Sequence, residues 1–148
     1  MPHTFTNLLV HIVFSTKDRM PLMDADMRPR LHAYMGGILR ELKAAPLIIN
    51  GVADHVHLPV GTPPVVSVSD TLRILKTNSS RWLHETYGKP FAWQSGYGAF
   101  SVSQSNLEAV RRYVACQEEH HRRMSSKEEF VSLLKKHDIE FDEAFIWN

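Results

Sequence analysis

Two histidines separated by one residue, His55-Val56-His57, have a spacing that suits binding of a single metal ion. In a β-strand, side chains two positions apart point to the same face, about 7 Å along the strand. Both rings can therefore reach one ion while Val56 packs into the core. Tyr113 and Gln117 are four residues apart, which makes them neighbours on one face of a helix. Two imidazoles, an amide oxygen and a phenol form a metal site with a nucleophile beside it, and this combination predicts phosphoryl transfer on DNA.

The types of ligand bear on which ion would bind. An amide oxygen with two imidazoles leaves room for water and phosphate, and this set favours Mg²⁺ or Mn²⁺ over a closed tetrahedral zinc site. Zinc stays an alternative if a third histidine, His120 or His121, turns inward. The ion would polarise a scissile phosphate and stabilise the phenolate of Tyr113 for attack on phosphorus. The plain alternative is that Tyr113 packs on an amphipathic helix and that the histidine pair lies on a surface.

Two further residues are candidates to orient the ligands or to contact phosphate. Asp54 directly precedes the histidine pair, and His121 falls on the same helical face as Tyr113 and Gln117. Arg122 and Arg123 follow at the end of that helix, where cations complement the helix dipole. We interpret these two arginines as stabilising the helix end.

A second helix carries cations that could hold backbone phosphates, with aromatic residues nearby for stacking on bases. The alternative is a solvated helix face beside core aromatics. The cations are Arg73, Lys76 and Arg81, and the aromatic residues are Trp93, Tyr97 and Phe100.

Composition limits the class of protein. A chain of 148 residues with 43% hydrophobic and 22% charged residues is typical of one soluble globular domain. No apolar run approaches the roughly 20 residues that a membrane helix needs, so we expect no membrane partner. The N-terminus lacks the features of a signal peptide, and the single cysteine, Cys116, cannot form an internal disulfide. A cytoplasmic location is therefore expected.

Charge is distributed unevenly along the chain. Residues 138–148 contain four acidic residues and no Lys or Arg. The remaining residues therefore carry 17 bases and 12 acids, a net charge of +5, whereas the whole chain is at +1. A basic body with an acidic tail is compatible with phosphate binding, and also with an ordinary soluble domain.

The elements that would position these residues follow from hydrophobic periodicity and turn signals. Their order is β-α-β-β-α-β followed by further helices, which is the ferredoxin-like split βαβ arrangement of the α+β class. One antiparallel sheet would have helices on one face and an open face for a ligand. The predicted elements are a strand within 5–16, a helix over 26–44, strands at 47–49 and 55–58, a helix from Ser67 or Ser69, a strand over 97–102, and helices that begin after 105 and after 126.

Local signals refine several boundaries. Asn50-Gly51 predicts a hairpin turn between the second and third strands. Pro59 predicts that the third strand ends just past the histidine pair, because proline cannot donate to a sheet ladder. Two capping boxes, Ser105 with Glu108 and Ser126 with Glu129, predict where the last helices begin.

On these residues the chain resembles the single-tyrosine HUH transposases of the insertion sequence 200/605 group, which include transposase-like proteins associated with repetitive extragenic palindromes. HUH denotes a His-hydrophobic-His signature, here His55-Val56-His57, and the second signature, Tyr-x-x-x-Gln, is Tyr113 and Gln117. Segments 75–80, 96–101 and 117–121 are also similar to that family. The resemblance extends from about Thr4 to Trp147.

The resemblance implies an activity and a site. Such enzymes cut single-stranded DNA at the ends of a mobile element, often beside a hairpin, through a 5′-phosphotyrosine intermediate, and later rejoin the strands. Carried over, His55, His57 and Gln117 would bind Mg²⁺ or Mn²⁺, and Tyr113 would be the nucleophile. The family works as a dimer, commonly with the tyrosine helix of one subunit completing the histidine pair of the other.

The resemblance also implies one HUH transposase domain over residues 1–148, with a catalytic core over 1–124 and a C-terminal helix with an acidic tail over 125–148. One alternative is a domesticated copy that binds single-stranded DNA or RNA hairpins without cutting them. Another is a zinc hydrolase of small molecules, but the barrel that carries such a histidine pair typically needs about 250 residues.

Overall fold

The computed structural model describes residues 3–144 and residue 146. It confirms the predicted α+β fold with an antiparallel sheet and extra C-terminal helices. Short 3-10 turns cover Lys17–Arg19 and Gln104–Asn106. The elements of the described part are β1 (Leu8–Ser15), α1 (Arg28–Glu41), β2 (Ala45–Pro46), β3 (Asn50–Gly51), β4 (His55–Thr62), α2 (Val68–Tyr87), β5 (Gly98–Val102), α3 (Leu107–Ala115), α4 (Gln117–His120) and α5 (Ser126–Lys136).

The sheet is built around β1, which pairs antiparallel with β4 on one side and β5 on the other. The strand order is β2-β4-β1-β5, and β3 pairs with the same edge of β4 as β2. The register sets Ser15 opposite His55 and Val13 opposite His57. Because side chains alternate along each strand, both histidines share a face with Val13 and Ser15.

The predictions of a strand at 47–49 and of a hairpin turn at Asn50-Gly51 are wrong. The edge of the sheet is two short strands with residues 47–49 between them, and Asn50 and Gly51 pair with His57 and Val56. The chain reverses just after Gly51, so closely that a Cβ there would collide with the carbonyl oxygen of His55. Glycine is therefore used here for a close approach of backbone rather than for a two-residue turn.

The prediction that β4 ends near Pro59 is also wrong, since the strand continues to Thr62. The carbonyl of Pro59 accepts a hydrogen bond from the Leu47 backbone N–H at 3.0 Å. A strand residue points its nitrogen and its carbonyl to the same edge, so the nitrogen of Pro59 faces the interruption between β2 and β3. A proline fits there because no ladder bond with β1 is lost.

One face of the sheet packs on α1 and α2. The helix start at Ser67 is confirmed: Ser67 is the N-cap of α2 and its hydroxyl accepts the Asp70 backbone N–H at 3.0 Å. The helix ends at Gly88, whose φ of 64° is in the left-handed region. Side chains from the strands and both helices form this core, among them Ile12, Phe14, Val56, Leu58, Leu31, Met35, Leu72 and Leu75.

The second face was predicted to be open, but α3, α4 and α5 lie over it. A second apolar cluster joins Val13 and Phe100 of the sheet to Leu133 and Leu134 of α5, with Phe130 packed against it. Gly98 permits this docking, because a Cβ at that position would lie 2.7 Å from Phe130 Cε1. The apolar stripe of α5 needs a surface to cover, and the sheet provides it.

The helix starts differ from the predicted capping boxes. Ser105 and Glu108 do not mark the start of α3, which begins at Leu107 after the 3-10 turn. At α5 the N-cap is Ser125, whose hydroxyl accepts the Glu128 backbone N–H at 3.2 Å. The box is therefore displaced by one residue, and Ser126 and Glu129 turn towards the sheet.

The predicted helix over 26–44 is shorter in the structure, at Arg28–Glu41. The helix predicted to carry both Tyr113 and Gln117 is divided at Cys116 into α3 and α4. None of the helices in the described ranges is both long enough and apolar enough to cross a membrane.

Candidate metal centre and nucleophile

Strand β4 presents His55 and His57 on the sheet face that α3–α5 cover. Both are buried, His55 at 3% exposure and His57 at 0%. Their Nε2 atoms converge on one carboxylate oxygen, Glu129 Oε1, at 3.2 Å from His55 and 2.8 Å from His57. The alternation of β4 thus brings two imidazole nitrogens to one point, as the H-x-H spacing predicts.

The outer nitrogen of each strand histidine is occupied. His55 Nδ1 lies 2.8 Å from Asp54 Oδ1, and the hydroxyl of Ser126 donates to the same carboxylate at 2.9–3.0 Å. His57 Nδ1 lies 2.8 Å from His11 Nε2. These partners hold both rings with Nε2 directed inward, which is the arrangement that metal-binding histidines usually have.

Gln117 begins α4 and is fully buried. Its Oε1 lies 3.2 Å from His55 Nε2 and 3.0 Å from His121 Nε2. Its amide Nε2 donates to Glu129 Oε2 at 3.2 Å. The break at Cys116 therefore still leaves Gln117 beside the histidine pair.

Tyr113, on α3, points its phenol at the same cluster. Its hydroxyl donates to Glu129 Oε2 and lies 3.3 Å from His120 Nε2. The ring centroid is 5.8 Å from that of His57 in the same chain. Burial, and secondarily the hydrogen bond to Glu129, raises the pKa of Tyr113 well above its usual value. The phenol keeps its proton at neutral pH in this arrangement.

Glu129, from α5, lies at the centre of the cluster and is 2% exposed. Burial on its own would raise its pKa, but hydrogen bonds from His121, His55 and His57 hold the pKa well below the usual range. The carboxylate is therefore ionised. A buried carboxylate needs compensating positive charge, and part of that charge comes from His55.

The strand histidines differ in protonation. Burial lowers the pKa of His55, but Asp54 and Glu129 outweigh it and raise the pKa to about 9. Burial lowers the pKa of His57. Asp54 and Glu129 thus place two ionised carboxylates beside the histidines, and these attract a cation.

Sequence reasoning did not find Glu129, because it assigned the residue to a capping box. A usable signal is present in the sequence. Glu129 is adjacent to Phe130 and four residues before Leu133, so it falls on the apolar stripe of α5. An acidic residue in such a stripe indicates a buried polar partner.

The structure gathers the predicted ligands and nucleophile in one place: His55, His57, Gln117 and Tyr113 all contact Glu129. Asp54 and His121 adjoin the same cluster. Ligand atoms of His55, His57, His121 and Glu129 lie within 4.8 Å of one another, close enough to hold an ion. The chemistry of the donors, imidazole nitrogens with carboxylate and amide oxygens, fits a divalent cation.

The predicted phosphate-binding cations lie elsewhere, on α2. Lys76 Nζ donates to the carbonyls of Gln94 and Gly96 at 3.0 and 2.6 Å, and burial lowers its pKa to about 8. Arg73 is exposed beside Asp70, and Arg81 donates to the Asn78 side chain.

A groove of about 440 Å³ runs beside α2 and is lined by Arg73, Lys76 and Tyr97. Tyr97 is 38% exposed, and Trp93, although 9% exposed, also lines this groove. Phe100 is buried in the core and is not accessible for base stacking. Base stacking stays a prediction for Tyr97 and Trp93.

Comparison with known proteins identifies the family. Residues 4–117 match the family model described as IS200-like transposase. Over 126 residues the chain is 31% identical to the transposases for insertion sequence element IS200 of Salmonella typhimurium strain LT2 and Salmonella typhi, covering 77% of this chain and 79% of each relative. The chain belongs to the IS200-like transposase family, which confirms the resemblance.

Solved structures share the fold. A Deinococcus radiodurans R1 protein assigned as a transposase aligns with a TM-score of 0.65 and 20% identity, over 79% of this chain and 95% of that one. A REP-associated tyrosine transposase, solved bound to a REP hairpin, aligns with a TM-score of 0.58 and 12% identity, over 83% and 72%. At these low sequence identities the similarity shows a shared fold.

Proposed function

We propose that this transposase cuts and rejoins single-stranded DNA at the ends of a mobile element, with Tyr113 as nucleophile. His55, His57 and Gln117 would hold Mg²⁺ or Mn²⁺. The observation that carries the proposal is the contact of the Tyr113 hydroxyl with the carboxylate on which His55 and His57 converge. Nucleophile and ligands are thus within reach of one phosphate.

The chain's own residues account for the steps. The phenol oxygen of Tyr113 attacks phosphorus and forms the Tyr–O–P bond, while the bond from phosphorus to the 3′ oxygen breaks and leaves a 3′ hydroxyl. Glu129 Oε2, to which the phenol already donates, is the first acceptor for its proton. When bound, the ion supplies Lewis-acid polarisation of the scissile phosphate. Attack of a 3′ hydroxyl on the phosphotyrosine reverses the step and rejoins strands without external energy.

A cavity beside Tyr113 has room for part of the DNA. It measures about 320 Å³, lies between α3 and α5, and is lined by Tyr113, His11, His120, Lys136 and His137. Lys136 supplies a positive charge that suits a phosphate-bearing strand, and Glu129 lines the same cavity. Because this cavity touches the nucleophile, we assign it to the nucleotides that flank the scissile phosphate.

We propose hairpin-containing single-stranded DNA as the partner, supported by the neighbour that was solved with a REP hairpin. A homodimer is proposed from the family resemblance. The contacts between Tyr113 and its own His57 are compatible with cleavage in cis. Light scattering across micromolar concentrations tests the dimer, and a monomer mass throughout would count against it.

Covalent trapping tests the proposed function. The protein is incubated with labelled single-stranded oligonucleotides from the DNA that flanks the gene, with Mg²⁺ or Mn²⁺ or with chelator, and resolved on denaturing gels. We expect a metal-dependent protein–DNA adduct that Tyr113→Phe loses. Tyr34→Phe is the matched control, because Tyr34 stacks on Trp82 on the α1–α2 side, and it should keep the adduct. Hairpin binding without any adduct would favour a protein that binds DNA and does not cut it.

A further inference from the structure

The cluster holds more potential ligands than the signature residues account for. His121 and Glu129 both lie beyond residue 117, where the match to the family model ends. The predicted catalytic core, which ends at residue 124, would leave Glu129 outside. We infer that Glu129 Oε1 and His121 Nε2 bind the same ion as His55, His57 and Gln117, making a site of three imidazoles and two oxygens that takes a first-row transition ion in preference to Mg²⁺. The inference rests on the proposed function, since it concerns the metal of that site.

The donor atoms have a spacing that suits one ion. Around an octahedral ion with bonds of about 2.1 Å, neighbouring ligand atoms are about 3 Å apart. Glu129 Oε1 lies 2.8 Å from His57 Nε2 and 3.2 Å from the Nε2 atoms of His55 and His121. Gln117 Oε1 lies 3.2 and 3.0 Å from His55 and His121. These five separations are close to those between neighbouring ligands, and ligand atoms of His55, His57, His121 and Glu129 lie within 4.8 Å of one another.

His121 is oriented towards the cluster. Its Nδ1 lies 2.8 Å from the backbone carbonyl of Met124. A carbonyl can only accept, so Nδ1 carries a proton, and Nε2 faces Gln117 Oε1 and Glu129 Oε1 at 3.0 and 3.2 Å. A bound ion would take the place of any proton on Nε2. The Nδ1 atoms of His55 and His57 also have partners outside the cluster, Asp54 and His11. All three rings thus have the outer partner that metal-binding histidines typically have.

The charge of Glu129 also favours a bound ion. Glu129 is buried with both oxygens directed into the site, and it contacts Gln117 and Tyr113 as well as the histidines. An ionised carboxylate in this position lowers the energy of a bound dication and reduces the net charge of the complex. Its place on α5, which docks through Gly98 and Phe130, means that the fold holds it there independently of the ion.

The donor set determines which ion is preferred. Imidazole nitrogens suit Mn²⁺, Fe²⁺, Co²⁺ and Zn²⁺, whereas Mg²⁺ prefers oxygen ligands and keeps several waters. Three imidazoles therefore select a transition ion. Mn²⁺ is the practical probe because it is paramagnetic.

The test measures Mn²⁺ binding by electron paramagnetic resonance on the full chain. We expect one tightly bound ion in the wild type, little competition by Mg²⁺, and affinity lower by at least about tenfold in Glu129→Gln. Glu118→Gln is the matched control: it removes the same charge from an exposed position on α4 and should keep wild-type affinity. Spin-echo modulation from nitrogen should count three imidazoles in the wild type and two in His121→Gln.

The outcomes separate the two proposals. If Glu129→Gln binds Mn²⁺ as tightly as the wild type while His57→Ala does not, the inference fails and the histidine pair remains the metal site. A wild-type count of two nitrogens would also overturn it. If the wild type binds no Mn²⁺, the metal of the proposed function fails with it. The nitrogen count needs no variant, so it decides the question even where Glu129→Gln does not fold.

Discussion

The two faces of β4 have different surroundings, one apolar and one polar. Towards α1 and α2 the strand presents Val56, Leu58 and Val60, all with 0% exposure in an apolar core. Towards α3–α5 it presents His55 and His57, equally buried but surrounded by polar partners. Burial of apolar area stabilises the fold, whereas burial of charge costs free energy unless every group is paired. One strand thus contributes to the apolar core on one face and to the proposed metal site on the other.

Burial by itself therefore does not separate core residues from site residues. What separates them is the partner of each buried group. A residue on the α1–α2 face should affect the free energy of unfolding and leave the chemistry of the folded molecules intact. A residue on the α3–α5 face should affect metal binding and cleavage first.

The largest effect is expected from His57→Ala. Removal of a ligand should lower the rate of strand cleavage by at least about a thousandfold, because a bound ion contributes several kcal/mol to the transition state. Formation of the covalent adduct with excess Mn²⁺ measures it, and circular dichroism checks the fold. Full activity in this variant would remove the metal site from the mechanism.

Leu58, next to His57 but on the other face of the sheet, should affect stability and not cleavage. Leu58 is fully buried on the α1–α2 face, so Leu58→Ala should lower the free energy of unfolding by about 2–5 kcal/mol. Urea unfolding measures the loss. Below the transition the folded fraction should cleave DNA at the wild-type rate. Loss of cleavage in a still-folded protein would show that the two faces are not independent.

Gly98→Ala tests how the α3–α5 side is held on the sheet. The added Cβ would lie 2.7 Å from Phe130 and 3.0 Å from Phe100, and such overpacking costs about 1–3 kcal/mol. Backbone amides of α5 should exchange faster with solvent, while those of α1 and α2 stay protected.

A matched control exists on the other side of the sheet. Gly37 lies in α1, and a Cβ added there meets no atom of the described residues within 4 Å. Gly37→Ala should therefore keep stability or raise it by up to about 1 kcal/mol, because alanine favours a helix more than glycine does. Equal exchange in α5 for both variants would contradict the role of Gly98 in docking.

Much of the site follows from local spacing. The pair His55 and His57 depends on the two-residue period of a strand, and Tyr113 with Gln117 depends on the helical period. Both patterns are readable from a few consecutive residues. The break at Cys116 was not predicted, but it leaves both side chains beside the cluster.

Glu129 could not be assigned in the same way, because its role depends on a contact with His57 across 72 positions of sequence. Its local context also fits a helix start, since Ser125 with Glu128 and Ser126 with Glu129 have the same spacing, and the structure uses the first pair as the cap. The edge strands β2 and β3 were not predicted, for a related reason. Residues 45–46 and 50–51 become strands through pairing with β4, and no alternating pattern of their own predicts it.

A smaller effect is expected from His32, a partly buried histidine of α1. His32 Nε2 is buried without a hydrogen-bond partner among the described residues, unlike His55 with its two carboxylates. Burial, with a contribution from Arg28, lowers the pKa of His32 from 6.5 to about 4. Below pH 6.5 the unfolded chain therefore binds more protons at this residue than the folded protein does, and stability falls as the pH drops towards 4.

His32→Phe removes that titration. Between pH 8 and pH 5 the variant should lose about 1 kcal/mol less stability than the wild type, with allowance for partial solvent access. Urea unfolding of each protein at the two pH values measures this difference in the loss of stability. The effect of the substitution on packing is the same at both pH values, so it cancels. Identical losses in the two proteins would mean that His32 finds a partner when it is protonated.

The smallest effect tests whether the α1–α2 side takes any part in DNA binding. Arg73 has a side chain that is 68% exposed and lies 3.7 Å from Asp70, next to the groove that contains Tyr97. If it contacts a phosphate, Arg73→Ala should weaken binding equally for all sequences and reduce the slope of log affinity against log salt by about one. Fluorescence anisotropy with a labelled hairpin at several salt concentrations measures that slope. An unchanged slope would assign the outer surface of α2 to solvent and leave DNA contacts to the side of the sheet that carries Tyr113.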